Sequence, residues 1–263
     1  MHSLEGKTMH TLATKTALVT GGARGIGAAT VRKLVRAGVN VAFTYQKSAN
    51  QAEQLARQLQ REFADANPGR PPTQIMPMQV DALNAEAVQQ AVSDVKARLG
   101  RLDILVNNAG IFDARPIETF TLDDYDRQMT VNTKAVFAAV QRAAQVMEDG
   151  GRIVNIGSNL ADRAPSPGLS LYTMSKAAVW GLTKAVAREL GPRGITVNIV
   201  QPGSTDTDMN PSDGPHSDQQ RSLRAIATYN RPEEIAAMVL YLCSDDARSI
   251  TGASLLVDGG ANI

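Results

Sequence analysis

Seven short apolar runs, at residues 16–20, 39–44, 74–79, 104–107, 152–156, 196–200 and 254–257, alternate with longer segments whose apolar residues recur at helical spacing. Among the latter are 27–37, 48–64, 85–99, 123–147 and 171–189. A short run that is apolar on both faces belongs to a strand covered on both sides, which is the condition of a parallel sheet flanked by helices. The alternation therefore predicts an α/β chain folded as a doubly wound parallel sheet of seven strands, with helices on both faces, in a single domain over 15–263. Ligands of such sheets bind beyond the carboxyl ends of the strands, so the residues just after each run carry the functional information.

The first run leads into Thr20-Gly21-Gly22-Ala23-Arg24-Gly25-Ile26-Gly27 and then a helix. Glycines there let the backbone turn sharply and approach a pyrophosphate, while the helix N-terminus favours negative charge. Strand, glycine turn and helix together make a Rossmann-type nucleotide site, with a purely structural turn or a mononucleotide site as alternatives. No Gly-Lys-Ser/Thr ending follows, which argues against a nucleoside-triphosphate loop.

The turn resembles the Thr-Gly-x-x-x-Gly-x-Gly fingerprint of the short-chain dehydrogenase/reductase family. The resemblance continues through Asp81, Asn107-Asn108-Ala109-Gly110, Asn132, Ser158, Tyr172-x-x-x-Lys176 and Pro202-Gly203, in the family's order, and spans 16–260. It implies that Gly21, Arg24, Gly25, Ile26 and Gly27 meet the coenzyme's phosphates. Asp81 and Ala82 would lie beside the adenine, and Asn107, Asn108, Ala109 and Gly110 along a ribose. Pro202, Gly203, Ser204 and Thr205 would face the nicotinamide carboxamide. The Asn107-Asn108 pair is equally suited to pinning neighbouring strands.

An acidic residue at the end of the second strand would accept from the adenosine ribose and repel a 2′-phosphate. The sequence there is Tyr45-Gln46-Lys47-Ser48, with no acid, and Arg24 lies in the glycine turn. The basic pair and the missing acid together point to NADP(H), against the plain reading of two solvated surface cations.

Tyr172 and Lys176 are four residues apart in a helical segment, hence on one face. A phenol with a reference pKa of about 10 exchanges its proton more readily when a neighbouring ammonium and an oxidised nicotinamide favour phenolate. By resemblance, Tyr172 donates a proton to the carbonyl oxygen during reduction and removes it during oxidation. Lys176 holds the nicotinamide ribose and shifts the phenol pKa, Ser158 polarises the substrate oxygen, and Asn132 anchors a water in the proton path. The expected activity is reversible reduction of a ketone to a secondary alcohol. Two alternatives stand beside it: reduction of 3-oxoacyl groups on acyl carrier protein, with Arg115, Arg127 and Arg142 as candidate carrier contacts, and a regulator that senses NADP(H) without turnover.

A formal charge of +1 and 4% aromatic residues provide neither a basic field nor stacking platforms for nucleic acid. No run approaches the length of a membrane span, and Cys243 is the sole cysteine, so a soluble, cytoplasmic, metal-free protein is expected. Residues 1–14, in which Leu4–Thr8 foreshadow Leu12–Thr16, read as a flexible leader, and 204–222 as a lid over a small-molecule carbonyl or acyl thioester substrate. The resemblance implies a homotetramer, with Val136, Phe137, Val140, Val179, Trp180 and Leu182 at an interface or, at the same spacing, in the core.

Overall fold

The computed structural model describes residues 12–263. Its sheet has seven parallel strands in the order β3-β2-β1-β4-β5-β6-β7. The strands are β1 (Thr16–Val19), β2 (Asn40–Tyr45), β3 (Ile75–Gln79), β4 (Ile104–Asn107), β5 (Arg152–Ile156), β6 (Thr196–Pro202) and β7 (Ser254–Val257). The connecting helices are α1 (Gly25–Arg36), α2 (Ala49–Ala66), α3 (Ala85–Leu99), α4 (Leu122–Met129), α5 (Ala135–Val146), α6 (Ser170–Leu190), α7 (Ser217–Ser222) and α8 (Pro232–Cys243).

Side chains alternate across each strand, and both faces are apolar. Ala17, Val19, Val41, Phe43, Ile104, Val106, Val154 and Ile156 face one core, which α1, α2 and α8 close with Val31, Leu34, Leu59 and Val239. Leu18, Ala42, Leu105, Ile153, Val197 and Ile199 face the other, closed by α3, α5 and α6 through Val92, Val140 and Val179. Strand order reverses between β1 and β4, where the glycine turn and the Asn107–Gly110 loop stand side by side.

The structure departs from the expected elements in two places. The segment 123–147 is not one α-helix, because the π-helical turn Thr130–Lys134 separates α4 from α5 and contains Asn132. The β-branched residues Thr130, Val131 and Thr133 crowd an ordinary helical turn, and such insertions recur at functional sites. Helix α8, with Pro232 at its start and Glu233 and Glu234 in its first turn, adds to the expected elements. Residues 1–11 of the expected leader lie outside the described residues; of its last three, Leu12 is buried in the core and the Thr14 N–H donates to Gly38 O. Of the six candidate interface residues, Val136, Val140 and Val179 are core residues, whereas Phe137 is exposed.

Candidate active site

A cleft of about 1440 Å³ runs across the carboxyl ends of the strands. Gly21, Arg24, Gly25, Ile26, Gly27, Tyr45, Gln46, Lys47, Ser48, Asp81 and Ala82 line one end, and Ser158 and Tyr172 the other. Asn108, Ala109, Gly110, Lys176, Pro202, Gly203, Ser204 and Thr205 also line it. Every residue expected from the sequence to meet coenzyme therefore borders one continuous cavity.

At the first end, a Cβ on Gly27 would collide with the Gly21 carbonyl oxygen, so glycine is what lets α1 begin against the turn. Gly21 itself has φ +65°, the left-handed region, and its N–H donates to Thr44 Oγ1 at 3.0 Å. Helix α1 has no acidic residue in its first turn and no side-chain cap, which leaves its N-terminal N–H groups available to an anion. Asn108 answers its alternative reading: its Nδ2 donates to Thr20 O and Gly21 O, both at 3.0 Å, so it pins the turn to the loop after β4. Thr20 Oγ1 accepts from the N–H groups of Asn108 and Ala109.

At the other end, α6 carries Tyr172 and Lys176, and Ser158 follows β5. The Tyr172 hydroxyl is hydrogen-bonded to Ser158, whose Oγ also accepts from the Leu160 N–H at 3.2 Å. Lys176 Nζ donates to Ile156 O at 3.0 Å and lies 5.7 Å from the Tyr172 ring centroid. Gly110 lies beside that nitrogen, and a Cβ there would make ordinary contact with it at 3.5 Å.

Burial acts on both titrating groups. It pushes the Tyr172 phenol up to about 12, with the Ser158 hydrogen bond pulling the other way, and brings the Lys176 ammonium down to about 8. The opposing pull on the phenol comes from Ser158 and not from Lys176, and desolvation outweighs it.

Asn132 does not border the cleft. Its Oδ1 accepts from the Ile111 N–H at 2.9 Å, and its Nδ2 donates to Ile111 O and to Ser175 Oγ, both at 3.0 Å. Ser175 Oγ in turn donates to Tyr172 O at 2.8 Å. Both amide hydrogens are thus engaged with protein, and the side chain clamps the loop after β4 to the helix bearing Tyr172.

Three contacts shape the wall of the cleft. Phe112 sets its ring edge-on to Tyr172, with centroids 4.8 Å apart at 76°. The C-terminal residues Ala261 and Asn262 line the cleft, and Asn262 Nδ2 donates to Asn159 O at 2.7 Å. The expected lid closes on itself at its base: the Asn230 N–H and the Arg224 guanidinium both donate to Ser204 O, at 2.9 and 2.7 Å. Its near edge reaches the glycine turn, where Arg24 Nη1 meets Asp208 Oδ2 at 3.4 Å. Among the described residues, no group of three or more His, Cys, Asp or Glu side chains is placed to hold a metal ion. No helix among them is long and apolar enough to cross a membrane.

A nucleotide-binding sheet whose cleft ends in a buried Ser-Tyr-Lys constellation defines a nicotinamide-dependent oxidoreductase. A family model described as enoyl-(acyl carrier protein) reductase matches residues 21–262. The cyclic-di-GMP-binding biofilm dispersal mediator protein of Escherichia coli is 42% identical over 247 residues, covering 93% of this chain and 96% of that protein. The 3-oxoacyl-[acyl-carrier-protein] reductase of Staphylococcus aureus is 35% identical over 94% of this chain and 98% of its own. The crystal structure of a short-chain dehydrogenase from Burkholderia cenocepacia, in complex with NADP, superposes with a TM-score of 0.91 at 49% identity, over 96% of this chain and all of that one. This chain belongs to the short-chain dehydrogenase/reductase family.

Proposed function

We propose that the protein is an NADP(H)-dependent reductase that converts a ketone or 3-oxo group to a secondary alcohol, reversibly. The hydrogen-bonded pair of Ser158 and Tyr172, in the cleft whose far end holds Arg24 and Lys47, carries the reading. When bound, the coenzyme supplies hydride. Ser158 hydrogen-bonds the substrate oxygen and polarises its carbonyl. Tyr172 gives its phenolic proton to that oxygen as negative charge develops, and takes the proton back from the alcohol in the opposite direction. Lys176 donates one hydrogen to Ile156 O, which leaves two for the nicotinamide ribose hydroxyls.

The absence of an acid after β2, the presence of Lys47 and Ser48 there, and the NADP bound by the Burkholderia relative support the choice of coenzyme. The test is oxidation of NADPH, alongside NADH, across a panel of ketones and 3-oxoacyl thioesters. A strong preference for NADH would overturn the coenzyme assignment. Coenzyme binding with no turnover of any carbonyl would favour a regulator that senses NADP(H). The similarity to 3-oxoacyl-carrier reductases supports acyl thioesters as a second substrate class. A homotetramer in the cytoplasm accompanies this reading. Phe137 is exposed on α5 and available to such an interface, and sedimentation of the purified protein tests the assembly.

The Arg24–Asp208 pair yields a further expectation. Both side chains are about two-thirds exposed, so their attraction is modest, but a 2′-phosphate would compete with Asp208 for the same guanidinium. Asp208→Asn is expected to tighten NADPH about two- to fivefold and leave NADH unchanged, as read by fluorescence titration. Equal shifts for both coenzymes would place the effect in the lid and not at Arg24.

A further inference from the structure

The substrate end of the cleft carries an apolar stretch beside the Ser158 and Tyr172 hydroxyls. Phe112 packs its ring against Tyr172 yet keeps 44% of its surface exposed, and Leu160, Pro167, Met209 and Leu223 continue the wall. The Ser158 and Tyr172 hydroxyls form the place where an oxygen docks.

The charges on this wall cancel. Arg115 donates from Nε and Nη2 to the two Asp113 oxygens at 3.1 and 2.8 Å, and Nη2 meets Asp124 Oδ1 at 2.9 Å. The guanidinium also lies 4.6 Å from the Phe120 ring centroid. Arg127 meets Asp113 at 3.4 Å. The Arg115 N–H donates to Gly168 O at 3.0 Å, which ties the cluster to the loop leading into α6. Two arginines thus face two aspartates, and a substrate carboxylate entering here displaces an existing partner instead of finding a free cation. Among the described residues lining this end, the other basic side chains are His216 and Lys176. Arg142, the remaining candidate for carrier contact, donates to Ser93 Oγ at 2.8 Å and to Gln145 Oε1 at 2.6 Å and does not line the cleft.

We infer that this end accepts an uncharged ketone with an apolar or ring-bearing body, in preference to a 3-oxo carboxylate or an acyl chain delivered by an acidic carrier protein. The inference rests on the reductase reading and names its substrate class.

The experiment compares kcat/KM with NADPH for a bicyclic aryl ketone, ethyl 3-oxobutanoate and free 3-oxobutanoate. The same acyl group is then offered as a small thioester and on acyl carrier protein, at two salt concentrations. The neutral ester is expected to exceed the acid by about tenfold or more, the factor that about 1.4 kcal/mol of preference confers. The carrier should give no more than about a threefold gain over the small thioester, without the steep decline in salt that electrostatic steering produces. Asp113→Asn, which deprives Arg115 and Arg127 of a shared partner, should raise the acid-to-ester ratio about threefold or more. Equal use of acid and ester, or a large carrier preference that collapses in salt, overturns the inference. Calorimetric binding of ester and acid to the NADPH complex of Tyr172→Phe gives the same order independently of turnover. An enzyme that turns over no carbonyl thus defeats the reductase reading, while acid binding as tightly as ester defeats the inference.

Discussion

Tyr172→Phe is expected to lower kcat/KM for ketone reduction by about 10²–10⁴-fold, the range associated with loss of a positioned proton donor. The substitution removes one oxygen and nothing else. The ring keeps its edge-on contact with Phe112, and the helix keeps the Tyr172 carbonyl that accepts from Ser175 Oγ. The lost hydrogen bond to Ser158 is of a kind worth about 0.5–1.5 kcal/mol, so the melting temperature should move by only a few degrees, about 2–4 °C per kcal/mol at this size. Coenzyme affinity should stay within about twofold, because the anchoring contacts reside in the glycine turn and Lys176. Steady-state NADPH oxidation, a fluorescence titration and a thermal melt separate the three effects. Near-normal reduction by the variant would contradict the proton-donor role. The wild-type phenol, raised to about 12 by burial, stays protonated across neutral pH in the free protein, which suits the donor role. The reverse reaction needs phenolate, so alcohol oxidation should rise with pH while ketone reduction does not.

How far this site was readable beforehand depends on the range of each interaction. The strands were legible because runs such as Ala17–Val19 and Ile104–Val106 are apolar at every position, as burial on both faces requires. Tyr172 and Lys176 were legible because four residues along a helix fix a shared face whatever surrounds them. The environment of that pair was not. Desolvation depends on everything packed around the phenol, and it raises the Tyr172 pKa. Asn132 was identified as a residue but not as a clamp, because its role follows from a π-helical turn and from partners 21 and 43 residues away. The Asn159–Asn262 contact joins residues 103 apart, and no local pattern announces it. Val136, Val140 and Val179 show the opposite ambiguity: helical spacing marks an apolar stripe but cannot tell a neighbouring layer from a neighbouring subunit.

Lys176→Met should separate function from stability in the same helix. The ammonium is buried with one carbonyl as its protein partner, and its pKa falls from 10.5 to about 8. A lysine whose folded pKa lies below its unfolded value opposes folding while charged. The full cost is present below pH 8, and it fades as pH rises from 8 towards 10.5. Such a shift corresponds to a cost on the order of 3 kcal/mol. Methionine fills a similar volume without charge, so it relieves that cost at pH 7, while leaving the Ile156 carbonyl without its donor at a cost of about 1–3 kcal/mol. The two effects oppose each other, and the variant should be about as stable as the parent at pH 7, or more so. The parent's stability should climb between pH 8 and 10 and then stop rising, because the Tyr172 phenol, with its raised pKa, opposes folding once unfolded tyrosines ionise near pH 10. The variant should lack the climb. Activity should nevertheless fall by about 10²-fold or more, with a weaker grip on NADPH, since no other ammonium borders this part of the cleft among the described residues. Chemical denaturation at pH 7 and pH 9.5, with kinetics at pH 7, tests both halves. An unstable variant would make Lys176 a structural residue, and unchanged NADPH affinity would remove the ribose contact from its role.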